Sequence, residues 1–379
     1  MNTEEGHILQ DMVEGFCKTE IAPFYEQWER DEIIPRQIWN KLGDAGFLCV
    51  DIPEAYGGPG GSFEMSMVVC NEINRAGYNS IGVNINVHAD IVAQYILNHG
   101  SEAQKQKYLP GMVSGECVGA IAMTEPGAGS DLQGVRTRAQ REGNDWIING
   151  SKTFITNGQH CDVVITVART DSDETGARGI SLFLVDTTAV GFKRGNNLEK
   201  LGLHSADTSE LFYDNIRVPG DALLGDLNNG FITLMSELPR ERLALAAGAV
   251  AAMEGVLAMT VDYVKQRQAF KTPLSKLQNT RFKMAEMQTE YRLNKAFIDE
   301  CMLKFKTGAL DAATASMAKF AATEAQCRVV DGCLQMFGGY GYMREYPISR
   351  AYADARVQRI YGGTSEIMRE LIARAVLDN

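Results

Sequence analysis

Glu241 stands in the run Leu238-Pro239-Arg240-Glu241-Arg242-Leu243-Ala244-Leu245. At helical spacing it shares a face with Ala244, Leu245 and Gly248, all apolar or small. A carboxylate taken out of water on such a face has its pKa raised and can act as a general base. A blander reading stays open, in which Glu241 lies on the helix flank and pairs with an arginine at the surface. The second chemical candidate is Ile121-Ala122-Met123-Thr124-Glu125-Pro126-Gly127-Ala128-Gly129-Ser130-Asp131, read with Lys152-Thr153-Phe154-Ile155-Thr156-Asn157-Gly158. Glycines let backbone approach a ligand, and the hydroxyls of Thr124 and Ser130 can hold something polar. A phosphate cradle is the first reading, although the loop fits neither GxGxxG nor GxxxxGK[ST]. By their residue types alone, Arg267 reads as a helix-end cation, Gln278 as a surface amide and Gly338-Gly339-Tyr340-Gly341 as a helix stop.

The elements that must position these residues fall into three stretches. Residues 1–118 carry apolar residues at helical spacing, as in Ile8, Leu9, Met12, Phe16 and Ile21, interrupted by the loop Ile52–Gly61. Residues 119–227 carry short β-branched runs punctuated by Gly, Asn and Asp, a strand-rich, barrel-like domain. Asn149-Gly150 reads there as a hairpin turn. Residues 228–379 are helical again, with Pro239 fitting a first helical turn, an Ala- and Gly-rich helix to Val264, and helices over 277–306, 312–336 and 365–376. The expected fold is α+β: an N-terminal helical domain, a middle β domain and a C-terminal helix bundle.

The net charge of −11 argues against a nucleic-acid or anionic-membrane surface. Eight cysteines without a CxxC pair read as reduced thiols, and five histidines without HExxH spacing predict no metal site. The apolar runs fall short of a membrane span. No targeting peptide is visible, so the expected location is the cytoplasm, in a bacterial cell.

The order of motifs resembles the acyl-CoA dehydrogenase family over nearly the whole chain. The residues that carry the resemblance are MTEPGAGSD at Met123–Asp131, KTFITNG at Lys152–Gly158, RQAF at Arg267–Phe270, QMFGGYGY at Gln335–Tyr342 and RIYGGTSEIMRELIAR at Arg359–Arg374. The run GYMREYPISRAYADARVQRIYGGTSEI is most similar to the long-chain branch. The resemblance implies FAD as cofactor, a homotetramer, and α,β-dehydrogenation of an acyl-CoA thioester to the trans-2-enoyl-CoA in fatty-acid β-oxidation. It implies an electron-transferring flavoprotein as acceptor and a medium- or long-chain substrate. Branched or cyclic acyl-CoA, carrier-bound acyl groups, oxidase chemistry, and a catalytically dead binding protein are the alternatives.

Residue by residue, the resemblance implies that Met123, Thr124 and Ser130 line the flavin ring, with Ser130 also near the substrate. Phe154 stands where many members carry tryptophan, and Thr156 would reach the flavin's N5 side. Arg267, Phe270, Gln278, Gln335, Phe337, Gly338 and Gly339 would hold the cofactor of a neighbouring subunit, and Thr364 and Glu366 its pyrophosphate and adenine side. Lys271 replaces the glycine that usually follows Phe270. Most members carry a catalytic glutamate between the tyrosine and glycine of their YEGT signature; here the segment is Tyr361-Gly362-Gly363-Thr364. Long-chain and isovaleryl-type members place the base on the first long C-terminal helix, immediately before an arginine, which is the position of Glu241-Arg242. Arg242, Tyr361 and Gly362 would line the substrate, with the Gly362 N–H polarising its carbonyl.

Overall fold

The computed structural model describes residues 4–171 and 176–378; the outermost residues of the first and last expected domains lie outside that range. Among the described residues seven α-helices come first: α1 (Glu4–Phe16), α2 (Tyr25–Asp31), α3 (Gln37–Asp44), α4 (Phe63–Arg75), α5 (Asn79–Ile85), α6 (Ala93–His99) and α7 (Glu102–Ser114). Their starts are written locally. Ser62 Oγ accepts the Met65 N–H ahead of α4, and Ser101 with Gln104 forms a reciprocal capping box on α7. A π-helical stretch, Asn86–Val92, joins α5 to α6 into one buried rod.

The middle of the chain forms β1 (Gly119–Ala122), β2 (Arg138–Glu142), β3 (Asp145–Thr156), β4 (Val163–Arg169), β5 (Ile180–Asp186), β6 (Phe192–Asn197), β7 (Thr208–Val218) and β8 (Leu223–Leu224). They order as β6-β7-β3-β2-β4-β5-β8, with β1 parallel to β4. The expected turn at Asn149-Gly150 is absent: both residues lie inside the single strand β3, and the hairpin is β2–β3, where Glu142 pairs with Asp145. Gly150 serves close approach instead, since a Cβ there would run into Thr137.

After the sheet come α8 (Gly230–Gln266), the small hairpin β9 (Gln268–Ala269) with β10 (Thr272–Pro273), then α9 (Gln278–Lys306), α10 (Ala312–Phe337), α11 (Pro347–Val357) and α12 (Ser365–Leu377). The start of α8 departs from expectation. It forms nine residues before Pro239, which therefore lies inside the helix and withholds a hydrogen bond from Met235. At 37 residues α8 is also long and apolar enough, by composition alone, to cross a membrane, against the sequence expectation. Two thirds of its most apolar window is instead buried in this protein (67%).

One continuous buried cluster runs through the helices on both sides of the sheet, from Val13 and Trp39 through Tyr95 to Leu243, Met253 and Val329. A smaller cluster around Trp146, Phe183 and Leu211 fills the sheet domain. Arg240 of α8 ties the two helical segments together, donating to Asp51 Oδ2 (2.7 Å) and Asp90 Oδ1 (3.4 Å). These contacts fix α8 against the α5–α6 rod.

Candidate active site

Glu241 lies two residues beyond Pro239 on α8 and is 5% exposed. The apolar face read from the sequence is real: Ala244 and Gly248 are buried beneath it. Burial lifts its carboxyl from 4.5 to about 7; a hydrogen bond from Tyr95 pulls it down, Glu237 pushes it up and Arg242 pulls it down. A carboxyl poised near neutrality can exchange a proton in both directions. The flank reading fails on this burial.

Arg242 is equally buried, and among the described residues its one hydrogen bond to a side chain is from Nη1 to Ser316 Oγ at 3.3 Å. Among the described residues its Nε is buried without a partner. Such a donor is costly unless something polar reaches it.

The segment Tyr361–Thr364 closes over this part of α8. Gly362 takes φ +62, and a Cβ there would lie 2.5 Å from Leu245 Cδ1, one turn after Glu241. Among the described residues the Gly362 N–H makes no backbone hydrogen bond. Its neighbour is braced from α10: the fully buried Lys319 donates to the Gly363 carbonyl at 2.6 Å. Burial, with Arg242 adding to it, holds that ammonium down at about 8. Tyr361 packs with Val83, Leu203 and Ala206. Thr364 caps α12, its hydroxyl accepting the Ile367 N–H, and Glu366 stands exposed in the first turn of that helix.

The glycine loop is tied to β3. It is latched by a buried ion pair: Lys152 Nζ donates to Glu125 Oε1 (2.8 Å) and to the Met123 carbonyl (3.1 Å). Glu125 also accepts the Arg136 and Thr137 N–H groups at 2.7 and 3.0 Å. The Thr153 N–H donates to the Thr124 carbonyl, so the chain just after β1 meets β3 at a bulge. There Phe154 takes φ +59 and is turned out, 67% exposed. Thr156 ends β3 opposite Thr208, and Ser130 is exposed in the loop.

The remaining candidates gather at the far end of α8, roughly 40 Å from Glu241 at the α-helical rise. Arg267 caps α8 and lies over the Tyr340 ring, 5.3 Å from its centroid. Phe270 and Lys271 are the two-residue turn of the β9–β10 hairpin, both left-handed at φ +54 and +58. The turn demands left-handed backbone, which explains why glycine suits position 271 and places Lys271 under mild strain. Phe270 is 93% exposed at the tip. Gln278 opens α9 and is exposed, as is Gln335. Phe337 is turned inward, stacked on Tyr263 with centroids 4.0 Å apart. Gly338 and Gly339 follow, with open space where a Cβ would stand.

Sequence reasoning missed Tyr95, Glu237, Lys319, the Glu125–Lys152 pair and the approach of Leu245 to Gly362. Two signals were available. Glu237 precedes Glu241 by four residues, on one helix face. Lys319 interrupts the small, apolar run Ala315-Ser316-Met317-Ala318-Lys319-Phe320-Ala321-Ala322 of α10.

Three domains of one family match in sequence: the acyl-CoA dehydrogenase N-terminal domain over residues 3–116, its middle domain over 120–216 and its C-terminal domain over 228–377. The mitochondrial long-chain specific acyl-CoA dehydrogenase of Sus scrofa is 49% identical over 376 residues, covering 99% of this chain and 87% of the relative. The crystal structure of an acyl-CoA dehydrogenase from Geobacillus kaustophilus superposes with a TM-score of 0.97 at 44% identity, covering 99% of this chain and 98% of the other. A glutaryl-CoA dehydrogenase from Mycobacterium smegmatis in complex with FADH2 superposes at 0.93 with 30% identity, covering 100% and 95%. With a buried carboxylate in place and every domain matched, the chain belongs to the acyl-CoA dehydrogenase family.

Proposed function

We propose that the protein removes hydrogen from the α and β carbons of a fatty acyl-CoA, giving the trans-2-enoyl-CoA, with FAD as cofactor and a medium- or long-chain acyl group as substrate. The observation that carries this reading is the buried Glu241 carboxyl, held near neutrality beside a 361–364 segment that has no acid of its own. The identity to long-chain relatives supports the substrate class.

The residues present fit the cofactor. Phe154 offers an exposed aromatic face on a bulge, and no hydrogen bond within the described chain engages the hydroxyls of Thr124, Ser130 or Thr156. Gly338 and Gly339 leave the room that a bulky ligand needs. Met123, Thr124, Ser130, Phe154 and Thr156 would line its ring, with Thr364 and Glu366 on its polar side. When bound, FAD supplies the hydride acceptor.

The chain's own part is proton chemistry and positioning. The α-proton of a thioester is weakly acidic, so charge building on the carbonyl oxygen must be met by a donor. The Gly362 N–H, without a backbone partner among the described residues and braced through the Gly363 carbonyl by Lys319, is that donor. Glu241 takes the α-proton. Arg242, Ser130 and Tyr361 shape the substrate's surroundings.

Arg267, Phe270, Gln278, Gln335, Phe337, Gly338 and Gly339 serve a second copy of the chain. The length of α8 supports this, because one cofactor cannot bridge roughly 40 Å from Glu241 to Arg267. A homotetramer, with electron-transferring flavoprotein as the electron acceptor, is part of the same reading.

Anaerobic bleaching of the flavin by acyl-CoA substrates of graded length tests the proposal. Bleaching is expected with medium or long chains, and Glu241→Gln should retain the flavin while turnover falls on the order of 10²–10⁴-fold. No bleaching by any acyl-CoA, or near-normal turnover in that variant, would sink it.

A further inference from the structure

Helices α6 and α8 cross so that two pairs of side chains meet in antiparallel order. Tyr95 and His99 are four residues apart on one helix, as are Glu237 and Glu241 on the other. Tyr95 Oη donates to Glu241 Oε1 at 2.9 Å, and His99 Nε2 meets Glu237 Oε1 at 2.8 Å. Asn98 Nδ2 adds a third contact, to the same Glu237 oxygen at 3.1 Å. The Tyr95 side chain is fully buried, its ring 6.2 Å from that of His99. Its hydroxyl has one further neighbour, the Leu234 carbonyl at 3.5 Å, which is too distant to compete for the proton.

Among the described residues, Tyr95 is the one group that hydrogen-bonds the Glu241 carboxylate. One oxygen is therefore anchored and the other is left free. Glutamate has three rotatable bonds, and a base must hold one lone pair in line with the breaking C–H bond. A single strong donor on Oε1 does this, because it fixes that oxygen in place and leaves Oε2 as the oxygen with no donor on it.

We propose that this ladder positions the base: Tyr95 pins Oε1 and presents Oε2 to the substrate, while the His99–Glu237 pair fixes the charge next to it. The proposal rests on the reading of Glu241 as the base, and Tyr95 is a positioning residue within it. The groups that face Glu241 are Tyr95 from α6 and Glu237 and Arg242 from its own helix; His99 reaches the cluster through Glu237. The two arms of the ladder act with opposite sign. The Tyr95 hydrogen bond favours ionised Glu241, and the Glu237 charge opposes it. A tyrosine kept only for packing has no such effect on protonation.

The test is the pH dependence of kcat and kcat/KM of the FAD-loaded enzyme with an acyl-CoA substrate, with flavin absorbance recording occupancy. Tyr95→Phe is expected to move the acid limb to higher pH by about one unit. It should lower kcat by about ten- to a hundredfold, with KM little changed. Glu237→Gln keeps acceptors for His99 and Asn98 and should move the limb to lower pH. If Tyr95→Phe binds flavin and keeps both the wild-type limb and kcat, while Glu241→Gln is inactive, the ladder is wrong and the base assignment stands. If Glu241→Gln turns over normally, the base assignment itself fails. Should Tyr95→Phe not fold, Glu237→Gln decides alone, and a limb that stays in place or rises overturns the proposal.

Discussion

Leu245 occupies the space in which a side chain on Gly362 would begin, its Cδ1 lying 2.5 Å from the position of a Cβ there. Leu245 is one turn beyond Glu241 on α8, so the helix that carries the buried acid also closes the alternative place for one. The left-handed φ of +62 at Gly362 adds a backbone cost to any side chain. Gly362→Glu is therefore expected to destabilise the protein by about 1–3 kcal/mol, mostly from the left-handed backbone, with the Leu245 methyl displaced. Placed in a Glu241→Gln background it should leave the enzyme inactive. Adding Leu245→Ala should return part of the stability. Thermal unfolding and turnover of the three variants check this, and a stable, active Gly362→Glu/Glu241→Gln enzyme would contradict it.

The acid limb of activity follows from the burial of Glu241. Its carboxyl is raised to about 7, and only the ionised form can accept the α-proton. Activity should thus rise with pH through about 7 and fall below it. An unburied glutamate would place that limb near its ordinary value of about 4.3. A kcat/KM profile flat between pH 5 and 8 would show that Glu241 is not the titrating group.

Much of this arrangement is legible in the chain. The alternation of helical and two-residue periodicity gives the α+β plan, because each period places one apolar face toward a core. The Glu241 face is legible for the same reason. The Asn149-Gly150 turn misleads, because glycine there answers to Thr137, just ahead of β2, a neighbour that local spacing does not reveal. Pro239 misleads as a helix start because packing of α8 against the α5–α6 rod outweighs one missing hydrogen bond. Tyr95 carries no local signal, and the break Lys319 makes in its apolar run does not reveal what it binds, for a related reason. Their partners, Glu241 and Gly363, lie far along the chain, and only the crossing of helices brings them together.

The glycine loop owes its shape to Lys152 and Glu125. Burial pulls the Lys152 ammonium down to about 8 against the pull of Glu125, so the pair is held in a dry setting. Lys152→Met leaves the Glu125 carboxylate buried without its cation, which costs about 3–5 kcal/mol. It also releases the Met123 carbonyl, and the loop bearing Thr124 and Ser130 should loosen. The expected outcome is lower stability in denaturant and weaker binding of added FAD. In the double variant with Glu125→Gln, part of the stability should return. A Lys152→Met protein with unchanged stability and flavin affinity would show that the pair does not hold the loop.

Asp354 makes stability depend on pH at the junction of the three stretches of chain. It accepts the Leu203 N–H at 2.6 Å and the Asn79 amide at 3.3 Å, joining α11 to the segment before β7 and to α5. Burial, with the Glu29 charge adding to it, raises its carboxyl from 3.8 to about 7. A carboxyl raised in the folded state favours folding most when both states are protonated, below about pH 4. That contribution is lost as pH rises, the loss being complete once the folded form ionises near 7. Asp354→Asn removes the titration and keeps an acceptor for Leu203. Its new amide N–H meets Asn79, whose Oδ1 is buried without a partner and can turn to accept it. The substitution should raise the melting temperature of the FAD-loaded protein by several degrees at pH 8, a gain of about 2–4 kcal/mol, and change it little at pH 4. An equal shift at both pH values, or none at pH 8, would show that Asp354 pays no cost of ionisation in this junction.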